Sequence, residues 1–174
     1  MTNETSSGDS YTATGFNPAG TPPSSGNPLG NPAYPGATTT GGENWVDYLT
    51  TTFNKSEIFT YNYAYGGAII DPAIVPTSDQ IVCLSEQIND EFLLQIGNVV
   101  GWTSENSLFS IFIGINDIGK TYRNGGDRNA SVLFSSDIHP ILKPLNRFSD
   151  TLLDAYFGLV QQLVSFCLTL PLAF

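Results

Sequence analysis

Two short runs of strand-forming residues, each closed by glycine, constrain this chain more than any other feature. Ile58 to Tyr65 is rich in β-branched and aromatic residues. It ends in Gly66-Gly67, where a backbone can turn sharply and approach a ligand closely. Leu108 to Ile113 is apolar but for Ser110 and closes at Gly114, the pattern of a strand buried on both faces. Between them, Ser78 to Ile96 reads as a helix, with Ile81, Leu84, Ile88 and Phe92 near helical spacing. Strand, helix and strand in that order predict an α/β layered fold with a parallel sheet.

The flanking segments extend this pattern. Glu43 to Phe53 reads as an amphipathic helix in which Trp45, Leu49, Thr52 and Phe53 share one face and Glu43 lies in the first turn. Asp150 to Val164 is the clearest helix, with Ser149 placed to cap it. Leu152, Tyr156, Leu159, Val160 and Leu163 form its expected buried stripe. Gly15 to Gly42 holds seven glycines, six prolines and no charged side chain, a density that forbids helix and central strand. Loops of that length in compact domains are usually functional or disordered. The residues before Gly8, Thr2 to Ser7, are all polar and predict no buried strand.

The chain has 174 residues, room for one domain with a core. Six Lys and Arg stand against sixteen Asp and Glu, a net charge of −10. Such a chain repels phosphate backbones and anionic membranes, so neither nucleic acid nor membrane is an expected partner. The apolar tail from Leu163 to Phe174 is shorter than the roughly 20 residues that span a bilayer. Met1 to Ser7 lacks the pattern of a signal peptide. Cys83 and Cys167 match no metal spacing; buried thiols are favoured over a disulfide.

Three stretches carry chemistry. Gly8-Asp9-Ser10-Tyr11 on its own is an ordinary turn sequence. Asn62-Tyr63-Ala64-Tyr65-Gly66-Gly67-Ala68 and Gly114-Ile115-Asn116-Asp117 each follow a predicted strand. Each adds what a serine acyl-transfer site needs besides its nucleophile, namely donors for a developing oxyanion. Together and in this order they resemble the first three sequence blocks of the SGNH (GDSL-type) hydrolases. Their wording is most similar to the fungal acetylesterase-like branch, over roughly Gly8 to Lys120.

The resemblance implies a three-layer α/β/α fold on a parallel, flavodoxin-like sheet. The chain would be a single, incomplete domain over residues 1–174, without the later strands and with an irregular, insert-like segment at 118–148. It implies Ser10 as nucleophile, and the Ser10 and Gly67 N–H groups with the Asn116 side-chain amide as the oxyanion hole. It also implies an extracellular monomer, needing no cofactor or metal, that acts on small-molecule or plant-wall carbohydrate esters, above all acetyl esters.

Two departures stand out. The family carries an apolar strand where this chain has Thr2 to Ser7. Its general base is a His in D-x-x-H near the C-terminus, whereas the single histidine here, His139, sits in Asp137-Ile138-His139, ahead of the last helix. Order and spacing both differ, so His139 matches the base poorly and reads as a surface-loop residue. These departures suggest an imperfect gene model, with a late start, a retained intron around Asn129 to Arg147 and an early end. The alternative to an ester hydrolase is a non-catalytic remnant or carbohydrate-binding protein. Flavodoxin-like nucleotide binding is disfavoured by the lack of a Gly-rich phosphate loop opening a helix.

Overall fold

The computed structural model describes residues 1–96, 101–121 and 143–169, with backbone alone for 96 and 143–150. Its centre is a three-stranded parallel sheet in the order β2-β1-β3, made of β1 (Thr2–Gly8), β2 (Ile58–Asn62) and β3 (Ser107–Phe112). That order is how a flavodoxin-like 2-1-3-4-5 sheet begins. Helices flank it: α1 (Trp45–Thr51), α2 (Leu84–Glu86), which runs on as a π-helix (Gln87–Ile96), α3 (Ile115–Thr121) and α4 (Lys143–Thr169). The fold is therefore the α/β class expected, with a parallel sheet.

The polar segment Thr2 to Ser7 corrects the expectation of no buried strand: it is the central strand, buried from Asn3 onward. Its backbone pairs on both sides, Glu4 with Thr60 and Leu108, Ser6 with Asn62 and Ser110. Its side chains on one face pair with one another. Glu4 Oε1 accepts from Ser6 Oγ at 2.9 Å and Ser110 Oγ at 3.0 Å, and Oε2 accepts from Thr60 Oγ1 at 2.9 Å. One carboxylate thus ties together all three strands, and Thr50 of α1 joins the network through Thr60 at 2.7 Å. Burial pushes the Glu4 carboxyl above its ordinary range, against the lowering effect of those hydroxyls.

The opposite face is aromatic. Phe92 of the π-helix stands edge-on to Trp102, Phe109 and Phe166 at 5.4, 5.3 and 5.2 Å between ring centres. Edge-to-face pairs add about 0.5–1.5 kcal/mol each beyond their buried area. Leu84, Ile88, Tyr61, Tyr63, Leu159 and Leu163 complete this core. The predicted stripes of the second helical segment and of α4 therefore hold, although the former begins at Leu84 rather than Ser78 and α4 begins at Lys143 rather than at a Ser149 cap. Thr151–Thr169 of α4 is long and apolar enough to cross a membrane by length and composition, while its Leu159 and Leu163 are buried in this core.

Further expectations are corrected. α1 buries Val46, Asp47 and Thr50, while Trp45 and Phe53 of the predicted stripe are exposed. Asn44 caps α1 in a box with Asp47, so Glu43 lies outside the helix and accepts from Tyr34 and Tyr48 instead. β3 is the outer strand of the described sheet, with Leu108 and Phe112 exposed, not a strand buried on both faces. β2 ends at Asn62, three residues before the predicted Tyr65.

Glu91 of the π-helix makes stability depend on pH. Burial first, then the charges of Glu86 and Asp90, push its carboxyl from 4.5 to about 7. A folded pKa above the unfolded one favours the protonated folded state, so this stability is full below the unfolded value and lost as pH rises through about 7. After discounting for partial exposure the effect is about 1–2 kcal/mol. The melting temperature should thus be roughly 3–6 °C higher at pH 5 than at pH 7.5. Glu91→Gln should reduce that difference, with the raised Glu4, Asp9 and Asp117 carboxyls keeping the rest, and a melting temperature rising from pH 5 to 7.5 would contradict it.

Candidate active site

All three strands end on the same edge of the sheet, and the loops that leave them carry the three motifs. In open parallel sheets this carboxyl edge is where ligands bind. Beyond Gly8 the chain turns at once. Asp9 is buried; its carbonyl accepts from Thr12 N at 3.0 Å and Ala13 N at 2.9 Å, and its Oδ1 accepts from Tyr11 N at 3.0 Å. This local turn lifts Ser10 out of the sheet, half-buried, with a hydroxyl that hydrogen-bonds to no described residue. Two side chains clamp the turn from behind. Asn62 Nδ2 donates to Thr12 O at 2.7 Å, and Asn44 Nδ2 to Thr12 O at 2.9 Å and Ala13 O at 3.2 Å.

The Gly15 to Gly42 loop folds back over this edge. Thr39 Oγ1 donates to Ser10 O at 2.9 Å, Ala37 N to Thr14 O at 2.8 Å, and Thr60 N of β2 to Pro28 O at 2.9 Å. The loop thus covers part of the outer edge of β2 and touches the Ser10 turn itself.

Gly67 lies five residues beyond the end of β2 at Asn62. Tyr65 N donates to Gly8 O at 3.1 Å and Ala68 N to Tyr65 O at 3.1 Å, so this turn is pinned to the end of β1. Gly67 has φ +83°, a left-handed conformation that side chains rarely adopt, and an added Cβ would lie 3.3 Å from Ile81 Cδ1. Asn116, in the first turn of α3, donates through Nδ2 to Ala68 O at 2.8 Å. Its neighbour Asp117, almost fully buried, accepts through Oδ1 from Ile70 N at 3.1 Å. Adjacent residues of α3 therefore grip the Gly67 loop on either side of Ile69.

Burial pushes Asp117 above its ordinary range, with the charge of Asp9 a lesser contribution in the same direction, and burial likewise pushes up Asp9. Both lie beside the Ser10 and Asn116 turns. His139 lies outside the described residues. Among the described residues no group of three His, Cys, Asp or Glu side chains could hold a metal ion. Cys83 and Cys167 are free thiols, both pushed up by burial; Cys83 is buried and Cys167 partly so.

Several residues that build this edge were not singled out in the sequence, namely Asn44, Asn62 and Gln87. Asn44 had a readable signal, the Asn-x-x-Asp capping pattern ahead of α1. Gln87 had a weaker one, a polar residue between Leu84 and Ile88 on the buried helical face.

No family model matches the chain. Over 125 residues it is 42% identical to an acetylesterase from Thermothelomyces thermophilus, a match that takes in 66% of this chain and 39% of that protein. The chain thus spans well under half the length of that relative. Identity at this level, over a stretch of this size, supports an esterase family for the chain.

Proposed function

We propose that the chain is a serine ester hydrolase of the SGNH type, acting on carboxylic and above all acetyl esters, those of plant-wall carbohydrate among them. The observation that carries this reading is the clasp at the carboxyl edge. Ser10, Gly67 and Asn116 leave three neighbouring strands, and hydrogen bonds from Tyr65 to Gly8 and from Asn116 to Ala68 hold their loops together. An amide NH₂ has two donors. Asn116 spends one on Ala68 O, which leaves the second for an oxyanion formed when Ser10 Oγ, giving up its proton to water, attacks an acyl carbon. The backbone N–H groups of Ser10 and Gly67 are the other donors in this reading.

The similarity to an acetylesterase supports the acetyl group. Exposed rings of Tyr34, Trp45 and Tyr48 support the carbohydrate, because rings held by hydrogen bonds offer rigid contact area. A secreted monomer follows from the same reading. His139 is given no part in it.

One observation favours a second reading, a binding protein without turnover: the single histidine, His139, stands in Asp137-Ile138-His139 and not in D-x-x-H. Labelling with an organophosphonate separates the two, since the reagent traps activated serines and ignores ordinary hydroxyls. The expected adduct, located by mass spectrometry, is on the peptide containing Gly8 to Tyr11. No adduct favours the binding reading, and an adduct on Ser104 or Ser149 identifies a different nucleophile.

A further inference from the structure

We propose that Gln87 is a positioning residue for the Ser10 turn, its carboxamide holding the N–H and C=O of Gly8 beside the bond that Tyr65 N makes to Gly8 O. The kinetic consequence rests on the reading of Ser10 as nucleophile; the geometry does not.

Gly8 is the last residue of β1, and β2 has already ended at Asn62. Gly8 N–H donates to Gln87 Oε1 at 2.9 Å, and Gly8 O accepts from Gln87 Nε2 at 2.9 Å. A side-chain amide thus takes the Gly8 N–H, which no β2 carbonyl accepts, and shares Gly8 O with Tyr65 N. The second Nε2 hydrogen goes to Val82 O at 2.9 Å, in the segment leading into α2. Every donor of the amide is used, and its orientation is fixed, because turning it over would set Oε1 against two carbonyl oxygens.

Gln87 is fully buried and is the first residue of the π-helix, the point where the helix widens. Its backbone is itself held, since Gln87 N donates to Cys83 O at 2.9 Å. It therefore links the helix to the one residue from which Asp9 and Ser10 leave the sheet. A displacement of about 1 Å at a reacting group can cost roughly 10²-fold in rate. The Gly8 peptide is two residues from Ser10, so its loss is felt there first.

The test compares the parent with Gln87→Glu and Gln87→Met, by organophosphonate modification of Ser10 and by amide hydrogen exchange along β1. At pH 7.5 the carboxylate introduced by Gln87→Glu faces Gly8 O and Val82 O without a proton to give, so Ser10 labelling should fall roughly 10²-fold. At lower pH the protonated acid again donates to Gly8 O, so the deficit relative to parent at the same pH should narrow. Gln87→Met has no such proton, and its deficit should not change with pH. Labelling of Gln87→Glu at the parent rate, or the same pH-independent deficit in both variants, overturns the proposal in favour of simple packing.

If the parent itself is not labelled at Ser10, the nucleophile reading fails and the exchange data decide alone. Loss of protection at Gly8 in Gln87→Met, with the Glu4 and Ser6 amides unchanged, supports the positioning role. Equal loss along all of β1, or none at Gly8, overturns it. Should Gln87→Met fail to fold, Gln87→Asn, which keeps the amide on a shorter arm, replaces it with the same expected outcomes.

Discussion

A Gly8→Ala variant is expected to melt well below the parent. An alanine Cβ at this position would lie 2.3 Å from Phe112 O and 3.1 Å from Thr12 Oγ1. The first contact is with the backbone of the neighbouring strand and cannot be relieved by turning a side chain. Either β1 or β3 must move by most of an ångström, at the point where Gly8 also bonds to Tyr65 and Gln87. Overpacking of this kind costs about 3 kcal/mol. That corresponds to a fall of roughly 6–12 °C in a chain of this size, measurable by calorimetry or circular dichroism. A variant melting at the parent temperature would show that the strand ends are not packed this closely.

The same strand shows why part of the fold was hidden in the sequence. Apolar runs mark buried strands because burial normally excludes polar side chains, and by that rule Thr2 to Ser7 should lie outside the sheet. Here burial is achieved differently. Glu4, Ser6, Ser110 and Thr60 satisfy one another across three strands, and the flanking Phe59, Tyr61, Phe109 and Ile111 supply the apolar area. No periodicity rule reports on such cross-strand pairing, since the partners lie 56 and 106 residues away. The arrangement is not free of cost. Asn3 Oδ1, Thr5 Oγ1 and Ser7 Oγ are buried without partners among the described residues, and an unsatisfied group of this kind costs about 1–3 kcal/mol.

The helices were legible to the extent that their cores are apolar. Leu84, Ile88 and Phe92 are buried as their spacing predicts, because an apolar stripe and the core face coincide there. In α1 they do not coincide. Trp45 is turned outward with its Nε1 donating to Thr12 Oγ1 at 3.2 Å, while Asp47 is buried by the capping box with Asn44. Capping and tertiary hydrogen bonds outweighed hydrophobicity in choosing the face. The site motifs were readable as short strings after strands. That Asn116 bonds to Ala68 and Asp117 to Ile70 depends on the register of β1 against β3, which a single sequence does not encode locally.

Hydrolysis of an activated acetyl ester should depend on Ser10 and Asn116 to different degrees. Removing the nucleophile leaves only whatever the oxyanion donors and binding provide, so Ser10→Ala should keep no more than that residual rate. Removing one donor leaves the nucleophile in place, and Asn116→Ala should lose about 10²–10³ in kcat. That variant also loses the bond to Ala68 O, so amide hydrogen exchange in the Gly67 loop, compared with the parent, is the control for loop movement. His139→Ala should leave the rate unchanged. The most direct test is turnover of a chromogenic acetyl ester by purified parent and Ser10→Ala protein, assayed side by side. With no base assigned to Ser10, the prediction is slow release above the buffer blank by the parent and clearly less by the variant. Equal release by both, or none by the parent, would contradict it.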